Sequence, residues 1–176
     1  MHVLKINMLV LFVVTLAWPG LSLNAAELLQ PMAGQAVERP IAPDFSLLNL
    51  DDEPIALSDL KGKVVIVNFW ATWCPPCRYE MPSMQRAWEK LQEKDVMMLA
   101  VHVGGKSDKI WAFVGDYQIT FPVLIDPKSK VADAWPLKGL PTTFVIDPKG
   151  RIAYRAIGGR EWDDEELLKT VYALQK

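Results

Sequence analysis

Six consecutive residues, Val64-Val65-Ile66-Val67-Asn68-Phe69, constrain the fold more than any other stretch of the chain. Five are apolar, four are β-branched, and no alternation of polar and apolar positions runs through them. Such a run predicts a strand covered on both faces, because a strand with one wet face would alternate. A sheet holding it needs packing layers above and below, which selects an α/β architecture. The following segment predicts one of those layers. Met81, Met84, Trp88 and Leu91 share one helical face and predict a helix from about 74 to 92. Pro82 falls inside it, where a missing amide donor predicts a kink.

The remaining elements follow the same logic. Residues 45–48 and 54–57 flank a turn-like Asn49-Leu50-Asp51-Asp52 and predict an N-terminal β-hairpin. Residues 96–102 predict a second buried strand, and Ser107 a cap for a helix running to about Tyr117. Its buried face would carry Ile110, Phe113, Val114 and Tyr117. Short elements are expected at 121–125 (strand) and 129–135 (helix). Strands at 142–146 and 151–157 are joined through Asp147-Pro148-Lys149-Gly150. An amphipathic helix over about 163–174 closes the chain, with Asp163, Asp164, Glu165 and Glu166 in its first turn. Strand–helix alternation with short connections predicts three layers around a central mixed sheet. The 176 residues suffice for one such domain, placed at 41–176.

The N-terminus reads differently. Lys5 precedes an apolar run at 8–18, Pro19 and Gly20 follow, and small residues stand at Ala25 and Ala26. Residues 1–26 therefore read as an export signal, either cleaved or kept as a membrane anchor. Residues 27–40 lack a hydrophobic period and read as a linker. Export implies an oxidising, periplasmic compartment. A formal net charge of −2 argues against a phosphate-binding surface and so against nucleic-acid partners.

The chain has two cysteines, Cys74 and Cys77, too few for a disulfide-stapled scaffold or a four-cysteine metal site. They directly follow the buried strand and open the predicted helix. Cys74 would sit where free amides and the helix dipole favour a thiolate, lowering its pKa. Pro75 and Pro76 are tolerated in a first turn, where the amides they lack have no partner, and they stiffen the loop. Cys77, one turn inside, is expected to be more buried and less nucleophilic. These positions suggest attack by Cys74 on a disulfide, then resolution of the mixed disulfide by Cys77. A structural bridge and half of a metal site are the alternatives. The first closes too short a loop to constrain much of the unfolded chain. The second is short of ligands, since the only histidines are His2 and His102.

Four segments carry a resemblance: Ala42-Pro43-Asp44-Phe45, Leu57-Ser58-Asp59-Leu60-Lys61-Gly62-Lys63, Asn68-Phe69-Trp70-Ala71-Thr72-Trp73-Cys74-Pro75-Pro76-Cys77-Arg78, and Gly139-Leu140-Pro141-Thr142-Thr143-Phe144. In that order, over about 42–175, the chain resembles the thioredoxin fold and, more narrowly, the TlpA-like/ResA-like exported thiol–disulfide oxidoreductases. The resemblance implies an α/β three-layer thioredoxin-like fold with an extra N-terminal β-hairpin. It implies catalysis by Cys74 and Cys77 and a cis-proline at Pro141. The backbone of Leu140 would pair with an extended substrate, and Trp73, Pro75 and Pro76 would support the site. No cofactor is implied beyond the Cys74–Cys77 disulfide, and no metal. Implied partners are protein disulfides and a membrane electron-relay protein of the DsbD or CcdA kind. Cytochrome c maturation is one destination, and a monomer is expected.

Departures from the family pattern matter as well. Asn68 stands where thioredoxin has a buried aspartate, and Gly105 where ResA-like proteins often have a glutamate. Neither acid's role carries over. Glu80 is the carboxylate nearest the pair in sequence, read either as acid–base tuning of the thiols or as a solvated or ion-paired helix position. His102 reads as a satisfied histidine at a strand end, with a proton shuttle or ligand as the lesser alternative. Trp88 and Trp111 are expected in the core, while Trp70 and Trp73 flank the site and shape access to Cys74. The leading function is reduction of protein disulfides. Disulfide oxidase or isomerase action is the alternative within the class. A peroxidase would need a proline seven residues before its cysteine, where this chain has Val67 and Trp70. A copper chaperone of this fold would use CxxxC spacing and a distal histidine, and none follows His102.

Overall fold

The computed structural model describes residues 30–31, 39–105 and 107–175. The export signal predicted at 1–26 and the cap predicted from the Ser107 side chain lie outside this description. Among the described residues eight strands and four α-helices follow in order. They are β1 (Gln30–Pro31), β2 (Ser46–Leu48), β3 (Pro54–Ala56), β4 (Val64–Trp70), α1 (Pro75–Leu91), β5 (Val96–Val103), α2 (Ser107–Asp116), β6 (Val123–Asp126), α3 (Lys130–Ala134), β7 (Thr142–Ile146), β8 (Ile152–Ile157) and α4 (Glu165–Tyr172).

Strand β4 is buried along its whole length, as its unbroken apolar run requires. It pairs in parallel with β5 on one side and antiparallel with β7 on the other. The mixed sheet runs β1-β8-β7-β4-β5-β6, and β2–β3 form the separate hairpin expected near the N-terminus. Side chains of β4 alternate between two cores. Val64, Ile66 and Trp70 face a layer built from α1, α2 and α4, while Val65, Val67 and Phe69 face the hairpin and α3. Met81, Met84, Trp88 and Leu91 all bury on the first face, the stripe read from their spacing. Helix α1 continues through Pro82 as a single element.

Several boundaries differ from the sequence expectation, each for a local reason. Strand β6 begins at Val123 rather than 121, because Pro122 has no amide hydrogen to enter the ladder. Helix α3 starts at Lys130; Ser129 adopts a left-handed φ of 56° and provides no side-chain cap. At the C-terminus Asp164 is the helix cap, accepting from the amides of Glu166 and Leu167, so α4 starts at Glu165. Asp163 lies outside the first turn and binds Arg86. Of the segment read as a linker, residues 30–31 and 39–40 are described. Gln30 and Pro31 pair with Arg155 and Tyr154 on the edge of β8, and Arg39 donates to the buried Asp147.

Candidate active site

Strand β4 ends at Trp70, and a four-residue turn delivers the chain into α1. Cys74 is the N-cap of that helix, in extended conformation (φ −92°, ψ 108°), with Pro75 and Pro76 leading the first turn. The backbone N–H of Cys77 donates to the Cys74 sulfur at 3.4 Å. The Cys74 sulfur thus lies where the helix presents a free donor and the positive end of its dipole. The two cysteines form a disulfide with a Cα–Cα separation of 5.3 Å. Cys77 is fully buried and Cys74 is 3% exposed, so the small accessible area of the pair belongs to Cys74.

Apolar side chains stand exposed near that edge, together with Arg78. Trp73 and Tyr79 are 71% and 83% exposed, Pro75 and Pro76 are exposed, and Ile157 is 44% exposed. The register Phe69↔Thr142 brings the start of β7 to the end of β4, so the Leu140–Pro141 segment lies at the same end of the sheet as the cysteines. The Leu140–Pro141 peptide bond is cis. Leu140 is half-buried, Pro141 is buried, and the Pro141 carbonyl accepts from Gly158 N–H at 2.9 Å. Trp70, expected to flank the opening, is instead fully buried at the end of β4, where it packs edge-on against His102. Of the two tryptophans only Trp73 reaches the surface. Trp111, expected in the core, is 47% exposed on α2, because the inward face of that helix is taken by Ile110 and Phe113.

Glu80 occupies neither a solvated position nor an ion pair on the helix surface. It is 1% exposed, one turn beyond Cys77 on the same helix. Asn68 Nδ2 donates to one of its oxygens at 2.8 Å and Trp162 Nε1 to the other at 3.0 Å. Burial pushes its pKa up to about 7, against the opposing pull of the Trp162 and Asn68 donors and of the nearby Arg160 charge. A carboxyl titrating near neutrality beside a thiol pair can accept and return a proton at working pH. Of its two readings from sequence, the solvated or ion-paired helix position does not hold at 1% exposure.

The position of Gly105 is closed to any larger residue. Its φ is +87°, and a Cβ there would lie 2.8 Å from the His102 ring. The departure noted there from the family pattern thus has a steric counterpart, and the buried carboxylate near the pair is Glu80 of α1. His102 itself is a satisfied histidine. Its Nδ1–H donates to the Gly104 carbonyl at 2.5 Å, and Nε2 accepts from Thr72 N–H at 3.1 Å. Burial lowers its pKa, which keeps the ring in the neutral form this pattern needs. It thereby ties the turn before Cys74 to the loop after β5.

Asn68, Thr143, Ser83 and Trp162 were not singled out as site residues from sequence. Asn68, the polar residue of the β4 run, was visible as a departure; its amide also donates to Thr143 Oγ1 at 2.8 Å. Trp162, a lone aromatic within Gly158-Gly159-Arg160-Glu161-Trp162-Asp163, was the other available signal.

Comparison with known proteins agrees with this geometry. The profile of the AhpC/TSA family matches residues 39–155. Thiol-disulfide oxidoreductase ResA of Bacillus subtilis (strain 168) is 41% identical over 111 residues, covering 63% of this chain and 62% of that protein. Thioredoxin-like protein YneN of the same organism is 46% identical over 114 residues, covering 63% of this chain and 66% of the relative. The chain thus spans slightly less than two thirds of these relatives. Among solved structures, a thiol:disulfide interchange protein of the thioredoxin family from Chlorobium tepidum TLS superposes with a TM-score of 0.71 at 28% identity. That match covers 81% of this chain and all of the other. The fold is thioredoxin-like.

Proposed function

We propose that this chain, which belongs to the AhpC/TSA family, is a thiol–disulfide oxidoreductase that reduces protein disulfides through Cys74 and Cys77. The observation that carries the reading is the asymmetry of the pair. The sulfur of Cys74 caps a helix and accepts from the Cys77 amide, while Cys77 is sealed behind it. In the reduced protein the Cys74 thiolate attacks a substrate disulfide; one enzyme–substrate S–S bond forms and one substrate thiolate leaves. Cys77, having lost its proton, attacks the Cys74 sulfur and releases the second substrate thiol. Two electrons pass to the substrate, and the enzyme is left with the Cys74–Cys77 disulfide.

The exposed Trp73, Pro75, Pro76, Tyr79 and Ile157 support an extended polypeptide as substrate, lying beside Leu140 and Pro141. The N-terminal sequence supports export to the periplasm, and among the described residues no helix is long and apolar enough to cross a membrane. In an oxidising compartment the pair must be re-reduced, so a membrane dithiol relay of the DsbD or CcdA kind is the partner and cytochrome c maturation one destination. The protein works as a monomer. The decisive experiment is the reduction potential of the pair, followed by fluorescence in dithiol/disulfide buffers. A value near about −270 mV is expected of an electron donor. A value near about −120 mV would overturn the reductase reading in favour of a disulfide donor.

A further inference from the structure

The five residues 159–163, between β8 and α4, lie as a strap along α1. A Cβ on Gly159 would stand 2.8 Å from the Pro76 carbonyl oxygen, so the strap touches the cysteine motif where only glycine fits. One turn on, Trp162 Nε1 reaches Glu80. Next, the Ser83 hydroxyl accepts from Trp162 N–H at 3.0 Å; its own hydrogen is directed at the Glu80 carbonyl of α1 at 2.7 Å, with the Arg160 carbonyl of the strap at 3.2 Å. Arg86 then binds Asp163 at 2.6 Å and Glu161 at 3.0 Å, and Lys90 donates to the Asp163 carbonyl. Positions 76, 80, 83, 86 and 90 are one stripe of a helix, so the strap is fastened along its whole length.

We propose that this strap controls proton exchange at the active site, with Trp162 as a positioning residue that keeps the buried Glu80 ionisable as the proton acceptor one turn from Cys77. The inference rests on the thiol–disulfide reading, since it needs Cys77 to lose a proton before it resolves the mixed disulfide. The Glu80 carboxylate is gripped from two sides: Asn68 of β4 holds one oxygen and Trp162 of the strap the other. Each donor favours the charged form over the protonated acid. The groups facing Glu80 are few. Arg160 of the strap supplies a charge and a backbone donor; Asn68 of β4 is neutral and is itself tied to Thr143 of β7; Cys77 lies one turn back on the same helix. A tryptophan buried for packing alone could meet its N–H need at a carbonyl. Here it meets a buried carboxylate, which without donors would revert to the protonated acid.

The test is the titration of Glu80 in the oxidised protein, read from its carboxyl carbon by NMR, where the disulfide contributes no proton. Trp162→Phe keeps an aromatic ring and removes the donor. Its expected effect is an upward shift of the Glu80 midpoint by about one pH unit, roughly a tenfold gain in proton affinity. Ser83→Ala, which loosens the strap, shifts it in the same direction by less. In single-turnover release from a mixed disulfide on Cys74, the acid limb of the rate profile is expected to rise by the same interval as the midpoint. An unmoved midpoint in both variants overturns the proposal, and so does a shifted midpoint that the acid limb does not follow. If Trp162→Phe fails to fold, Ser83→Ala carries the test. Failure to form any mixed disulfide would instead overturn the thiol–disulfide reading, and the titration would still judge the grip on Glu80.

Discussion

Two thiols three residues apart are made unequal by a single hydrogen bond. The Cys77 amide points at the Cys74 sulfur, a placement that favours negative charge on that sulfur once the disulfide is reduced. Cys77 has no exposed surface and can reach only the sulfur in front of it. Glu80 is the carboxylate one turn further along the same helix. The expected outcome is that Cys77→Ala accumulates partner proteins as mixed disulfides on Cys74, while Cys74→Ala accumulates few or none. Non-reducing gels after thiol quenching read the difference, and comparable trapping by both variants would remove the assigned roles.

At the scale of elements, the strap and α1 depend on a close approach that one methyl group would prevent. Gly159 has an ordinary backbone conformation, so the demand at this position is for space and not for φ. In Gly159→Ala the new Cβ meets the Pro76 carbonyl, a backbone atom that cannot swing aside. Overpacking of this kind costs about 1–3 kcal/mol, measurable as a lower urea midpoint with an unchanged m-value. Lifting the strap should also move the Glu80 midpoint upward, because the indole moves with it; a variant as stable as the parent would contradict the close approach. Here too lies the limit of what the sequence made legible. The β4 run, the stripe on α1 and the hairpin after Thr142 were readable because their periods are local. The strap has no period, and its partners lie about 80 residues back along the chain. Glu80 looked like any helix carboxylate because the element that buries it is unrelated to its neighbours in sequence. Gly105 could be seen to lack the family's acid, but its left-handed φ and the approach of the His102 ring, which disfavour a side chain there, show only in the structure.

For the whole molecule, the buried carboxyl makes stability depend on pH in a direction opposite to most acid side chains. Glu80 is pushed from 4.5 up to about 7 by burial, so the folded state holds its proton more tightly than the unfolded chain does. A group raised in this way gives its full contribution below the unfolded value and loses it as pH rises through the folded one. Between about pH 4.5 and pH 7 the folded protein must either keep a proton that the unfolded chain releases or bury a charge. Glu80→Gln carries no such proton, and any constant cost of refitting the amide to Asn68 and Trp162 is the same at every pH. The stability of the parent minus that of the variant should therefore fall by about 3 kcal/mol from pH 4 to pH 8, with most of the change between 4.5 and 7. Urea unfolding of the oxidised proteins across that range measures it without interference from thiol titration. A difference that stays flat would mean that the carboxyl is solvated in solution and that the strap does not seal it. A difference that falls as expected would mean that the fold accepts lower stability at neutral pH in order to keep an ionisable acid next to Cys77. That cost is what separates a proton acceptor from a packing residue at this position, because a leucine or methionine of similar volume would bury there without it.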